Sequence, residues 1–240
     1  MLEESIDFEM SKPVDFTHPW RHGDITFKVE GKRLYANKTI LSMWSPVFEA
    51  MFTNDFKEKN AMEIKLPEKE YEEVLELMKV IHPPNKQVDE NCVYSLLPLA
   101  REYQMITVLE KCEAQLMTQP ANMEHLIIAE EYGLSKLLDR CISYAAQVSL
   151  NDLEQKTEYL KLEPNTIIEL LRRKIQVLET KQQALKTIQE IANGDRPHWR
   201  YECLDETRGP HKQRSDVSCD ACCYWMCDEI RKKARQVIGH

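Results

Sequence analysis

The densest group of soft metal ligands in this chain lies near its end: Cys203, Cys219, Cys222, Cys223 and Cys227, with His198 and His211. Thiolates and imidazoles hold zinc, and Cys219-x-x-Cys222 has the spacing of half a tetrahedral site. No second Cys-x-x-Cys and no His-x3-His follows it. The same stretch also suits a helix. Ser215 or Asp216 supplies a cap, and Cys219, Cys223, Met226, Ile230 and Val237 then form one apolar stripe. Half a site favours the helix, so no metal ligand is assigned. Arg231-Lys232-Lys233 reads as the solvated end of that helix, where cations suit the dipole.

Elsewhere the spacings of catalysis are missing. The chain has no Gly-rich phosphate loop, no Gly-x-Ser-x-Gly and no His-Glu-x-x-His, and its carboxylates are scattered along solvent faces. His82 stands alone before Pro83-Pro84 and reads as loop structure. The expectation is a non-enzymatic protein without a cofactor. A net charge of -8 argues against nucleic acid and acidic membranes, because phosphate affinity needs clustered Lys and Arg. No apolar run approaches the length that crosses a bilayer. The acidic start MLEESIDFEM lacks the basic-then-apolar order of a signal peptide. Eight cysteines without such a signal point to free thiols in a reducing, cytoplasmic or nuclear setting and not to secretion. Only 6 glycines and 30% charged residues fit a helix-rich protein.

The elements that position any site begin at Gly23. Ile25, Phe27 and Val29 alternate with Thr26 and Lys28, the period of a half-buried strand. Glu30-Gly31 supplies a two-residue turn into a return strand carrying Leu34. Asn37 caps a helix with Ile40 and Leu41 on its buried side, and Ser45-Pro46 opens a second helix presenting Val47, Phe48, Met51 and Phe52. Residues 61–67 alternate again, placing Met62, Ile64 and Leu66 inward on a strand. Pro67-Glu68 opens a helix carrying Tyr71, Val74, Leu75, Met78 and Ile81, and Asp89-Glu90 opens the next.

An internal repeat follows. Residues 96–116 match 125–145 at an offset of 29, with Leu97/Leu126, Ala100/Ala129, Tyr103/Tyr132, Leu109/Leu138 and Cys112/Cys141 identical. Each copy reads as helix, break, helix, with Gly133 at one break and Gln104 at the other. Cys112 and Cys141 read as small buried apolar residues. From Asn165 to Ala192 one long helix is predicted. Ile168, Leu171, Ile175, Leu178 and Leu185 recur at three and four, with Gln182 and Gln189 interrupting. That stripe suits a coiled coil and a helix packed on its own domain equally well.

Hairpin, helix and Ser-Pro helix in this order resemble the start of a BTB (POZ) domain. The resemblance is carried by Gly23-Asp24-Ile25, by Leu34 to Lys38 leading into Ile40-Leu41-Ser42, and by Ser45 to Phe48 with Ala50-Met51-Phe52. It runs from near Asp15 to near Met117. Asn37 stands where many members have histidine, Trp44 where a basic or small residue is common, and His82-Pro83-Pro84 where an aromatic-Gly turn is usual. Residues 122–171 resemble the front of a BACK region through Ala129, Tyr132-Gly133-Leu134, Leu137-Leu138, Cys141 and Leu160 to Leu171. The implied fold is α+β and mostly helical: a BTB/POZ fold, a small sheet with helices, followed by a helical BACK-like extension. The expected segments are an arm over 1–20, the BTB domain over 21–118 and BACK-like hairpins over 119–163. A long helix over 164–193 and a linker with cysteine-rich tail over 194–240 complete the chain.

The resemblance also implies a function. In BTB proteins that recruit cullin-3, a hydrophobic-x-Glu triplet follows the Ser-Pro helix, and Phe56-Lys57-Glu58 stands at that distance. Phe56 and Glu58, with Phe52 and Asp55 beside them, are the expected cullin-binding residues, an apolar anchor flanked by charge. Phe16, Trp20, Asp24, Lys38 and Ile40 are expected at a homodimer interface, with Asp24 and Lys38 as the family's charged pair. A homodimeric adaptor follows, linking an unknown target to a cullin-3 ubiquitin ligase as MATH-BTB and Kelch-BTB adaptors do. No MATH or Kelch module is recognisable in this chain. The alternatives are a dimerisation scaffold without a ligase and a zinc-binding interaction protein acting through the tail.

Overall fold

The structure is a computed structural model that describes residues 14–53, 61–156 and 159–192, and Lys232. Phe56, Asp55 and Glu58, the arm before residue 14 and the tail cysteines lie outside the described residues. The chain divides into two compact units. One comprises the residues up to Ala145 together with Leu150–Glu163; the other comprises Ala146–Ser149 and the chain from Pro164.

The first unit is built on a three-stranded sheet in the order β2-β1-β3, with β1 Ile25–Val29, β2 Lys32–Ala36 and β3 Glu63–Lys65. Ile25, Phe27 and Val29 are buried on one face of β1, as their alternation requires. The antiparallel register Val29↔Lys32 leaves a two-residue turn. Its residues Glu30 and Gly31 both have positive φ, 50° and 80°, the mirror-image turn that matches strand twist. Helix α1, Lys38–Trp44, starts where Asn37 Oδ1 accepts from the Ile40 amide at 2.9 Å. Helix α2, Pro46–Thr53, starts where Ser45 Oγ accepts from the Phe48 amide at 3.1 Å. Both caps satisfy amides that a helix start leaves unbonded. Among the residues proposed for the inner faces, Leu41 and Phe48 are fully buried, whereas Ile40, Val47, Met51 and Phe52 are half-buried.

Three expectations are corrected downstream. The strand predicted over 61–67 contracts to β3, which pairs parallel with β1 only from Thr26 to Lys28. Ile64 and Leu66 point inward, but Met62 is 80% exposed. Its carbonyl accepts from Thr26 N at 2.9 Å while its side chain lies beyond the paired stretch. Helix α3 begins at Tyr71 and not at Pro67, because Glu68 takes a left-handed conformation, φ 61°. Glu30 Oε2 in the distant hairpin turn accepts from Tyr71 N at 3.0 Å and serves that end of the helix. Helix α3, Tyr71–Ile81, buries Leu77 and Val80 as well as Val74, Met78 and Ile81, more than one stripe. Helix α4 runs Val93–Glu102, one turn later than Asp89-Glu90 predicts. Asp89 Oδ1 accepts from Asn91 N and Cys92 N at 2.9 and 3.1 Å, which shapes a turn before the regular helix.

The repeat is structural. Helices α4 and α5 (Ile106–Leu116) form one hairpin, α6 (Met123–Tyr132) and α7 (Ser135–Ala145) the next, and α4 packs on α6 and α5 on α7. Gln104 and Gly133, 29 residues apart, both take left-handed conformations at the breaks, φ 52° and 68°. Cys112 and Cys141 are fully buried, and burial pushes the Cys112 thiol up to about 12 and raises that of Cys141. Both therefore stay protonated and unreactive at neutral pH. Helix α8, Leu150–Glu154, and a short 3-10 turn, Tyr159–Lys161, close this unit. In the second unit helix α9 spans Pro164–Ala192, starting one residue before the predicted Asn165 because proline suits the first helical position.

Candidate functional site

Two aromatic groups mark the face on which the sequence places partners. Phe48 lies between Phe27, with centroids 5.6 Å apart, and Tyr103 stacked on it at 4.4 Å; Phe52 stacks on Phe48 at 5.9 Å. Burial pushes the Tyr103 hydroxyl up to about 12. Ser45, fully buried, ties the loop between α1 and α2 to this cluster by donating from Oγ to Tyr103 O at 2.6 Å. Phe52, one of the expected cullin-binding residues, is half-buried at the end of α2, and Lys38 Nζ sits 5.5 Å from its ring centroid. A cation over an aromatic face is attractive. Phe52 is therefore held in place from within before the chain leaves α2 toward Asp55, Phe56 and Glu58, which lie outside the described residues.

The second group covers the edge of the sheet. β2 is an edge strand, and an open edge invites strand pairing. Tyr35 N donates to Phe16 O at 2.8 Å, and Trp20 Nε1 donates to Tyr35 O at 2.8 Å. Phe16 and Trp20 thereby satisfy both backbone groups of one edge residue. Phe16, expected against a partner copy, is 3% exposed within its own chain, its ring 4.9 Å from His82. Trp20 is half-buried, edge-on to both. His82 Nδ1 faces Met78 O at 3.0 Å, and with that carbonyl as acceptor Nδ1 carries the proton. The lone pair of Nε2 is buried without a partner, and burial lowers the pKa of the ring. A cleft of about 320 Å³ opens beside Phe16, His82, Pro83 and Pro84, with Lys79 and Lys86 at its rim.

Asp24 and Lys38, expected as a charged pair, meet through the backbone: Asp24 Oδ1 accepts from Lys38 N at 2.7 Å. With Asn37 on Ile40 N, this bond serves a second amide in the first turn of α1. Asn37 Nδ2 also donates to His22 O at 2.7 Å, so one asparagine joins the strand entry to the helix start. Ile40 is half-buried on α1, and Met43 is exposed three residues further on. Trp44 is half-buried under the Lys111 ammonium, 4.6 Å from its ring centroid. Sequence reasoning missed the docking of Phe16 and Trp20 on Tyr35 and the grip of Glu30 on α3. Both are bonds between segments far apart in the chain, for which no local spacing gives a signal. Among the described residues no three metal-capable side chains gather.

The arrangement is a set of side chains locked to one another with apolar and charged atoms at the surface. It suits binding. The BTB/POZ domain family model matches residues 15–120. BTB and MATH domain-containing protein 38 of Caenorhabditis elegans is 30% identical over 158 residues, 65% of this chain and 41% of that protein. BTB and MATH domain-containing protein 36 of the same organism is 31% identical over 168 residues, 68% of this chain and 52% of its own length. Kelch-like ECH-associated protein 1A of Danio rerio is 28% identical over 181 residues, 71% of this chain and 30% of that protein. The chain thus spans about half, or less, of the length of these curated relatives. Domains of this family are in general protein-interaction modules and not enzymes. Residues 15–120 are a BTB/POZ domain, and its relatives are BTB-MATH and Kelch-like BTB proteins.

Proposed function

We propose that this protein is a homodimeric adaptor that brings a target protein to a cullin-3 ubiquitin ligase. The adaptor role rests on the BTB/POZ domain and its relatives. The cullin link rests on one observation: Phe56-Lys57-Glu58 follows helix α2, which ends at Thr53, at the distance where cullin-recruiting BTB proteins carry a hydrophobic-x-Glu triplet. Phe56 is the apolar anchor, Glu58 accepts a hydrogen bond or pairs with a basic group, and Phe52 and Asp55 flank them. An aromatic anchor with a polar neighbour has the composition of an interface hot spot, where truncation costs about 2 kcal/mol or more.

The dimer face in this reading comprises Trp20, Asp24, Lys38 and Ile40, with Phe16 acting from behind by holding the edge segment in place. Residues 119–163 and the long helix extend the BTB domain as a BACK-like region, and the target binds there or in the tail. Recovery of cullin-3 with the tagged full chain tests the proposal. Wild type should retain cullin-3, and a Phe56→Ala, Glu58→Ala double variant should lose most of it. Equal recovery by both would remove the triplet from the account. Loss of cullin-3 from both would remove the ligase and leave a dimerisation scaffold.

A further inference from the structure

Helix α9 carries two apolar stripes, and among the described residues only one of them is buried. Leu170 and Ala184 are buried, with Val177 half-buried between them. Roughly 120° round the helix, at about 100° per residue, a second stripe stands open. Ile168, Ile175, Leu178 and Leu185 are 46%, 55%, 57% and 55% exposed. Side chains of this kind, aligned over three heptads, leave a large apolar surface in water. A third face is polar, with Glu169, Arg172, Gln176, Glu179, Gln183 and Lys186.

The open stripe has the residue choice of one particular assembly. In a heptad frame Ile168 and Ile175 occupy a, and Leu171, Leu178 and Leu185 occupy d. Branched Ile at a with Leu at d favours two parallel strands, and a polar residue at a fixes register at some cost in stability. Gln182 and Gln189 fall at a. The partners within each layer favour the parallel direction. In a parallel pair of identical helices each g position faces the e position five residues on in the other copy. Lys174 then faces Glu179, an attraction, while Lys181 faces Lys186, a repulsion. The antiparallel pairing in the same seam layers Gln182 on Leu171, which leaves its amide against an apolar partner where the parallel pair sets Gln182 on Gln182, and it brings Lys174 beside Lys181, a repulsion. Lys174 Nζ already donates to the carbonyls of Ala146 and Val148, and an ammonium has a third proton for the Glu179 of a second copy.

We infer that the exposed stripe of α9 pairs with the same stripe of a second copy as a parallel two-stranded coiled coil. This seam is separate from residues 15–120 and from the cullin triplet, and it stands or falls without them.

Oxidative cross-linking of the full chain tests it. Gln182→Cys puts a thiol in an a layer, where the two copies approach within the roughly 4.4–6.8 Å between Cα atoms that a disulfide spans. Gln183→Cys puts one on the polar face, and wild type sets the level due to native cysteines. The linked dimer should rise with Gln182→Cys and stay at the wild-type level with Gln183→Cys. Adding Ile175→Lys and Leu178→Lys to Gln182→Cys should return it to that level; these positions face solvent in one copy, so the fold survives. Lys181→Glu, which turns the one repulsive contact into an attraction, should raise the yield at low protein concentration. Equal behaviour of Gln182→Cys and Gln183→Cys would overturn the inference. If neither links, something other than a second copy, such as residues 193–240 of the same chain, covers the stripe; if both link, the contact has no register.

Discussion

A carboxylate placed between helices must find donors, and Glu113 finds two. From α5 it accepts from Lys136 N at 2.7 Å and Leu137 N at 3.1 Å, the first turn of α7, while only 7% exposed. Glu113→Ala strips both amides of their partner in a buried place, so a loss of about 1–3 kcal/mol is expected. Glu113→Gln keeps an acceptor oxygen and should lose less; urea unfolding of the three proteins checks the order. His82 makes a prediction about pH. Burial holds its folded pKa below the ordinary 6.5, so between those two values the unfolded chain binds more protons than the folded one. Its contribution to stability is therefore intact above that window and falls as pH drops through it. Stability should decline as pH falls below about 6.5, and less steeply for His82→Gln; equal slopes would show that His82 does not carry the effect. Neither residue's setting is written in its neighbours. A lone histidine before two prolines reads as loop, and a glutamate inside a helix reads as solvated, until the second hairpin and Phe16 arrive from elsewhere in the chain.

Elements fare differently, because hairpins and caps are settled by adjacent residues. Glu30-Gly31, Asn37 and Ser45-Pro46 do in the structure what their chemistry demands. The start of α3 was illegible for the opposite reason: Pro67-Glu68 looks like a helix start, but Glu30 from the hairpin supplies the acceptor only at Tyr71. Met62 failed because alternation marks a strand's faces and not the length over which β1 pairs with it. The repeat offers a matched test. Gly133 takes the left-handed conformation freely, whereas Gln104 pays for its β-carbon there, about 1–2 kcal/mol. Gly133→Ala should lower the melting temperature of the protein. Gln104→Gly should raise it slightly, for a gain of about 0.5 kcal/mol in stability once the greater freedom of glycine in the unfolded chain is offset. Both changes in the same direction would deny that the two breaks are equivalent.

At the scale of the whole molecule, the BTB/POZ domain was legible because its signature is local and dense between Gly23 and Phe52. The candidate partner residues were legible only in part. Trp20, Asp24 and Lys38 could be named from the sequence, yet their contacts to Tyr35, the α1 amide and Phe52 are tertiary. In the proposed account one surface pairs two copies and another, led by Phe56 and Glu58, holds cullin-3. The mass of the complex formed by the full chain with purified cullin-3, measured by light scattering during gel filtration, tests both together. The account predicts two copies of this chain with two of cullin-3, and two copies of this chain alone when Phe56→Ala and Glu58→Ala are combined. A single copy that cullin-3 leaves unchanged in mass would contradict it.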